Sequence, residues 1–140
     1  MTYEEKELLL KDICARLPYG VKGLALGSKE DTISSLRLGE YPCVKTTSGL
    51  SCHLGTGQFK PYLRPMSSMT KEEINEFHKL RFRHLNYGSK PLQCVLSIDE
   101  IDWLNAHHFD YRGLISKGLA LEAPEGMYKK DDNESINKTS

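Results

Sequence analysis

The apolar positions of this chain follow two rhythms. Near the start, Leu8, Leu9, Ile13, Cys14 and Leu17 recur at helical spacing, with Glu4, Lys11 and Asp12 off the stripe. Thr2 and Glu5 precede that stripe at the spacing at which each side chain accepts from the other's backbone N–H. Pro18 and Gly20 follow it, so the pattern predicts a helix over residues 2–17. From Val21 the rhythm shortens. VKGLAL, TISSLRL, CVKT, LSCHL and FKPYL are brief runs separated by turn-forming stretches rich in Gly, Ser, Thr and Pro. Turn signals at each break predict five short strands in a meander, closing into a small curved antiparallel sheet or SH3-like barrel.

Helical spacing returns after Pro61 and Pro65, which fix the backbone and deny helix. Thr70 and Glu73 repeat the reciprocal cap ahead of TKEEINEFHKLRFRHL, where Ile74, Phe77 and Leu80 make an apolar side. Gly88 and Pro91 end that region, and PLQCVLS reads as one more strand or an extended connector. Ser97 and Glu100 form a third cap, followed by Ile98, Ile101, Trp103 and Leu104 on one face. Asp110 then caps a second short helix expected over residues 111–117, which Gly118 ends in a left-handed conformation. Leu119, Ala120 and Leu121 form a short apolar segment, stopped by Pro124 and Gly126.

These elements predict an α+β fold: an N-terminal helix, the curved sheet, then two or three C-terminal helices closing one side. The expected core is Trp103, Leu104, Ile101, Phe77, Ile74, Leu9 and Ile13. Residues 1–128 make a single domain. Residues 129–140 are polar, charged and almost without apolar side chains, the composition of a disordered tail. Its two glycosylation sequons, at Asn133 and Asn137, are read as chance.

At 140 residues the chain can bury a core without staples. It carries 19 basic and 19 acidic residues, so bulk charge gives no push toward nucleic acid or an anionic membrane. No apolar run approaches a membrane span. Cys14, Cys43, Cys52 and Cys94 form no CxxC, and the acidic, amphipathic start TYEEKELLLKD does not read as a secretory signal. Reduced thiols in a cytoplasm are the expectation.

Three groups of residues could carry chemistry. Lys79, Arg81 and Arg83, with Tyr87 near, could grip phosphate and stack on bases. A helix C-terminus favours basic residues for its own electrostatic reasons, and that explanation takes precedence. Cys52 and His53 with His107 and His108 could ligate a metal, although adjacent residues on a helix point about 100° apart and rarely share an ion. Trp103, Phe109 and Tyr111 could form a ligand platform, but aromatics at this density more often close a small core. No phosphate-binding glycine loop, HExxH, GxSxG or EF-hand pattern occurs. A cysteine–histidine pair could form from Cys14, Cys52 or Cys94, with nothing to select one. Asp99 and Asp102 are explained as acids at a helix N-terminus. The balance is against an enzyme, and no cofactor is expected.

The wording of KPYLRPMSSMTKEE (60–73) and IDWLNAHHFDYRGLISKGLALEAPEGMY (101–128), with LPYGVKG (17–23), resembles a family of small uncharacterised proteins of Bacteroides-type gut bacteria and their phages or prophages. The resemblance implies a bacterial or phage cytoplasmic setting and carries over no catalytic or binding residue. The expected function is a non-enzymatic binding module, of phage or mobile-element origin, that engages a host protein. The alternatives are a nucleic-acid-binding accessory protein and a cryptic metal or hydrolytic site.

Overall fold

The computed structural model describes residues 1–86 and 96–128, with the backbone alone for 82–86. Tyr87, Cys94, most of the PLQCVLS segment, the 129–140 tail and the side chain of Arg83 lie outside the described residues. Helix α1 (Tyr3–Arg16) opens on the expected cap: Thr2 Oγ1 accepts from Glu5 N–H, and Glu5 accepts in return from Thr2 N–H. A 3-10 turn over Leu17–Tyr19 leads into β1 (Lys22–Ala25), β2 (Lys29–Arg37), β3 (Cys43–Thr46), β4 (Ser51–His53) and β5 (Phe59–Pro65). Helices α2 (Lys71–Asn86) and α3 (Ile98–Ala106) follow, then two-residue strands β6 (Phe109–Asp110) and β7 (Leu121–Glu122).

The architecture is α+β: in chain order an N-terminal helix, a curved mixed sheet and then the later helices, with α1 touching α3 directly. Strand order is β4-β3-β2-β1-β5-β6, with β7 also paired to β5. The first four strands form the antiparallel meander the turns predict. The fifth does not extend it: β5 lies antiparallel to β1, on the far side from β4. A flat sheet would hold β4 and β5 about 19 Å apart, four strand spacings. The link between them is a tight turn in which Gly57 N–H donates to Leu54 O, too short to cross that gap, so the sheet curls. Two parallel pairings, β5 with β6 and β5 with β7, were not legible in a meander pattern.

The core is built from the inner faces of the strands. Val21, Ala25, Ile33, Val44, Cys52, Leu54, Phe59 and Leu63 pack with Leu9 and Ile13 of α1 and with Leu114, Leu119 and Ala120. Ile33 and Leu36 both face inward although three residues apart, because the β2–β3 register shifts between Ile33 and Ser35. Gly23 is required by close approach: a Cβ there would sit 2.2 Å from the Phe59 ring.

Several sequence expectations are corrected. Asp12, expected off the stripe, is fully buried, and Cys14, expected on it, is exposed. Burial of Asp12 is compensated by Arg16, also fully buried, whose Nε lies 2.7 Å from Asp12 Oδ2, and by Arg112 at 3.3 Å. The expected core is right for Leu9, Ile13 and Leu104 and wrong for four others: Ile74 is exposed, while Phe77, Ile101 and Trp103 are half-buried. All four lie on α2 and α3, which meet in a peripheral contact where the Phe77 and Trp103 rings lie 5.5 Å apart and Trp103 Nε1 donates to Glu76. The helix expected over 111–117 is a set of turns. Asp110 does cap it, accepting from Leu114 and Ile115 N–H, and Gly118 is left-handed at φ 75°, but the chain turns back into β7 after one turn.

Candidate functional site

The β3–β4 hairpin is set by Asp31 on β2. Its carboxylate accepts from Thr32 N–H, Thr47 Oγ1 at 2.9 Å and Ser48 Oγ. Those donors, led by Ser48 and outweighing the burial that opposes them, hold the carboxyl far below the usual carboxylate range. The turn fastened in this way is centred on Ser48, so strand partners fall symmetrically about it: Cys43 faces His53, Val44 faces Cys52, and Lys45 faces Ser51. Alternation along a strand then separates the two cysteines. Cys52 points into the core, where burial pushes its thiol up. Cys43 points to the other face, with its Sγ 3.5 Å from His53 Nδ1.

Beside this pair lies a groove of about 370 Å³ between the start of α1, the β2–β3 connection and β4. Tyr3, Lys6, Tyr41, Pro42, His53 and Thr56 line it. Tyr3 and Tyr41 are 68% and 75% exposed, and Leu38 nearby in the sequence is 64% exposed. Lys6 Nζ sits 5.5 Å above the Tyr3 ring. On the outer face of β2, β3 and β4 a second groove, about 310 Å³, is lined by Ser35, Arg37, Cys43, Lys45 and Ser51.

A third cleft, about 320 Å³, lies between Arg64, Thr70 and the 122–128 segment. Its guanidinium is engaged: Arg64 donates to both Glu73 oxygens at 2.6 and 2.7 Å and packs over the Phe109 ring. Burial works against the Glu73 carboxylate, but bonds from Arg64 and Thr70 outweigh it and its pKa is lowered.

The residues expected to hold a metal do not converge. Cys52 and His53 are consecutive on a strand and so face opposite ways. His107 stacks on Trp103 at 4.1 Å, with Nδ1 2.8 Å from the Trp103 carbonyl. His108 is 5% exposed, left-handed at φ 64°, and stacked on Tyr128 at 3.6 Å. Burial, then the nearby Arg16, His107, Arg64 and Lys22, lowers its pKa to about 3. It is neutral near pH 7, and its Nδ1 has no hydrogen-bond partner among the described residues. No group of three His, Cys, Asp or Glu among the described residues is placed to hold a metal ion.

Of the basic cluster, Lys79 is exposed on α2, while Arg81 Nη1 lies 3.1 Å from the buried carboxylate of Glu100 and ties α2 to α3. The aromatic platform is packed: Phe109 is fully buried and Trp103 stacks on it at 5.8 Å. Among the described residues no helix is long and apolar enough to cross a membrane.

Sequence reasoning missed the Cys43–His53 pair. The signal was present in the TTSG turn, because fixing its centre at Ser48 fixes which residues face each other. No family model matches the chain, and neither a curated protein nor a solved structure does.

Proposed function

We propose that the chain is a non-enzymatic binding module, cytoplasmic and of phage or mobile-element origin, that engages a host protein through the groove beside Tyr3 and Tyr41. One observation carries this reading: two tyrosines more than two-thirds exposed flank one concave surface. Large exposed apolar side chains gathered in one place mark interaction sites more often than scattered ones do. Tyrosine suits that role because its ring buries apolar area while its hydroxyl stays hydrogen-bonded. Lys6 and Glu40 at the rim supply opposite charges that can orient a partner without a net field.

The test is capture from a lysate of a Bacteroides-type host, identification of the captured protein, and titration of the purified partner. Wild type should bind it at a fixed stoichiometry. A Tyr3→Ser, Tyr41→Ser double variant should bind about a hundredfold more weakly, as expected when two anchor residues are truncated. No captured protein above background, or a partner that binds the double variant equally well, would refute the reading.

A further inference from the structure

The outer face of the hairpin assembles a thiol among cations. Cys43 faces His53 across the β3–β4 ladder and Arg37 across the β2–β3 ladder. Lys45, two residues along, lies on the same face, opposite Ser35 and Ser51. With the imidazole protonated at Nε2, Nδ1 accepts from the thiol at 3.5 Å. His53 is itself held, since its N–H donates to Gln58 Oε1 at 2.8 Å and its carbonyl accepts from Gln58 N–H at 3.2 Å. Cys43 is 7% exposed and lines the 310 Å³ groove with Arg37 and Lys45, so those side chains govern which reagents reach it. Reactive thiols occupy electropositive surroundings of this kind, and inert ones are buried in apolar cores.

We propose that Cys43 is a thiol-modification site that forms a mixed disulfide with an anionic low-molecular-weight disulfide, His53 taking the thiol proton. The Sγ–H proton moves to His53 Nδ1. The sulfur then attacks one sulfur of the small disulfide, the new Sγ–S bond forms as the old S–S bond breaks, and the departing thiolate takes its proton from the imidazolium. One disulfide and one thiol are consumed, and one mixed disulfide and one small thiol are produced. Arg37 and Lys45 supply the affinity for the carboxylates of such a molecule. Cys52 does not resolve the product, because it points into the core on the opposite face. The inference does not rest on the binding reading, but His53 also lines the tyrosine-lined groove, so the test is made on the chain alone with no partner present.

The experiment treats the full chain with glutathione disulfide near pH 7 and follows each cysteine by peptide-level mass spectrometry. Cys14, exposed on α1 and hydrogen-bonded to no described histidine, is the internal reference. Cys43 should react faster than Cys14, and His53→Gln should slow Cys43 by about tenfold or more, within the range that a positioned base contributes. His53 is exposed, so the variant should keep the wild-type circular dichroism and melting profile, which are measured alongside. An Arg37→Ala, Lys45→Ala variant should lose rate toward glutathione disulfide and keep it toward neutral hydroxyethyl disulfide. Faster labelling of Cys14 than Cys43, or an unchanged Cys43 rate in His53→Gln, overturns the proposal. Equal loss toward both disulfides overturns the anionic ligand class.

Discussion

Helices α1 and α2 begin alike and end differently. Each opens on a threonine–glutamate pair three residues apart that satisfies two backbone donors. Yet α1 buries Leu9, Asp12, Ile13 and Arg16, whereas no side chain described on α2 is buried. The difference lies in what each helix meets. α1 lies against the apolar inner surface of a curled sheet, and α2 meets mainly the nine-residue α3 and the Arg64 side chain. A capping motif starts a helix, and the opposing surface decides its contribution to stability.

The largest expected effect is in α1. Arg16→Ala leaves Asp12 buried with only the longer contact to Arg112, and Phe109 O without its 2.6 Å donor. Breaking a buried pair in this way costs about 3–5 kcal/mol, read from a urea midpoint. The double variant Asp12→Leu, Arg16→Met should recover most of that loss, and an equal loss would show the cluster stabilises by more than cancelling its own desolvation. Leu9→Ala, a pure packing change on the same helix, should cost about 2–5 kcal/mol.

Acid should weaken the α1 side before the α2 side. His108 is one residue from the carbonyl that Arg16 holds, and its folded pKa is depressed to about 3. The unfolded chain takes up a proton as pH falls through the ordinary histidine value near 6.5 while the folded one does not. This contribution is complete above that value and is lost toward pH 3, about 2 kcal/mol by pH 5. Glu73, also lowered, gives stability present above its ordinary value and lost only as pH falls below it. His108→Asn, which tolerates the left-handed backbone, should flatten the first phase and leave the second. A melting temperature level from pH 7 to 5 in wild type would contradict the burial argument.

Two smaller changes sharpen the comparison. Thr2→Ala and Thr70→Ala should each cost about 1 kcal/mol, because the caps are equivalent even though the helices are not. Ile74→Ser on α2 should move stability by no more than about 0.5 kcal/mol, since that side chain is 41% exposed. A larger effect would show that Ile74 is covered in solution.

The elements themselves were largely legible. All three caps, the five strands from VKGLAL to FKPYL and the left-handed Gly118 were readable, because they depend on residues within a turn or two of each other. Burial was legible where periodicity met a large surface, at Leu9 and Ile13, and misleading where it met a small one, at Ile74 and Phe77. Asp12 read as solvent-facing because an Asp–Arg pair four residues apart is equally at home on a solvated helix face, and the Phe109 carbonyl and Arg112 that meet this pair inside come roughly a hundred residues later. The metal reading failed on the parity of Cys52 and His53, adjacent in the chain and opposite in space.

Chain composition and local spacing determined that this protein is α+β, where its helices start and which short runs become strands. These follow from backbone hydrogen bonding and side-chain period, which act over a few residues. Only the tertiary structure decided that β5 returns to β1, that Asp12 and Arg16 go inside together, and that Cys43 rather than Cys52 meets His53. Each of those depends on long-range pairing or on the register of a hairpin, where a shift of one residue exchanges the two faces of a strand.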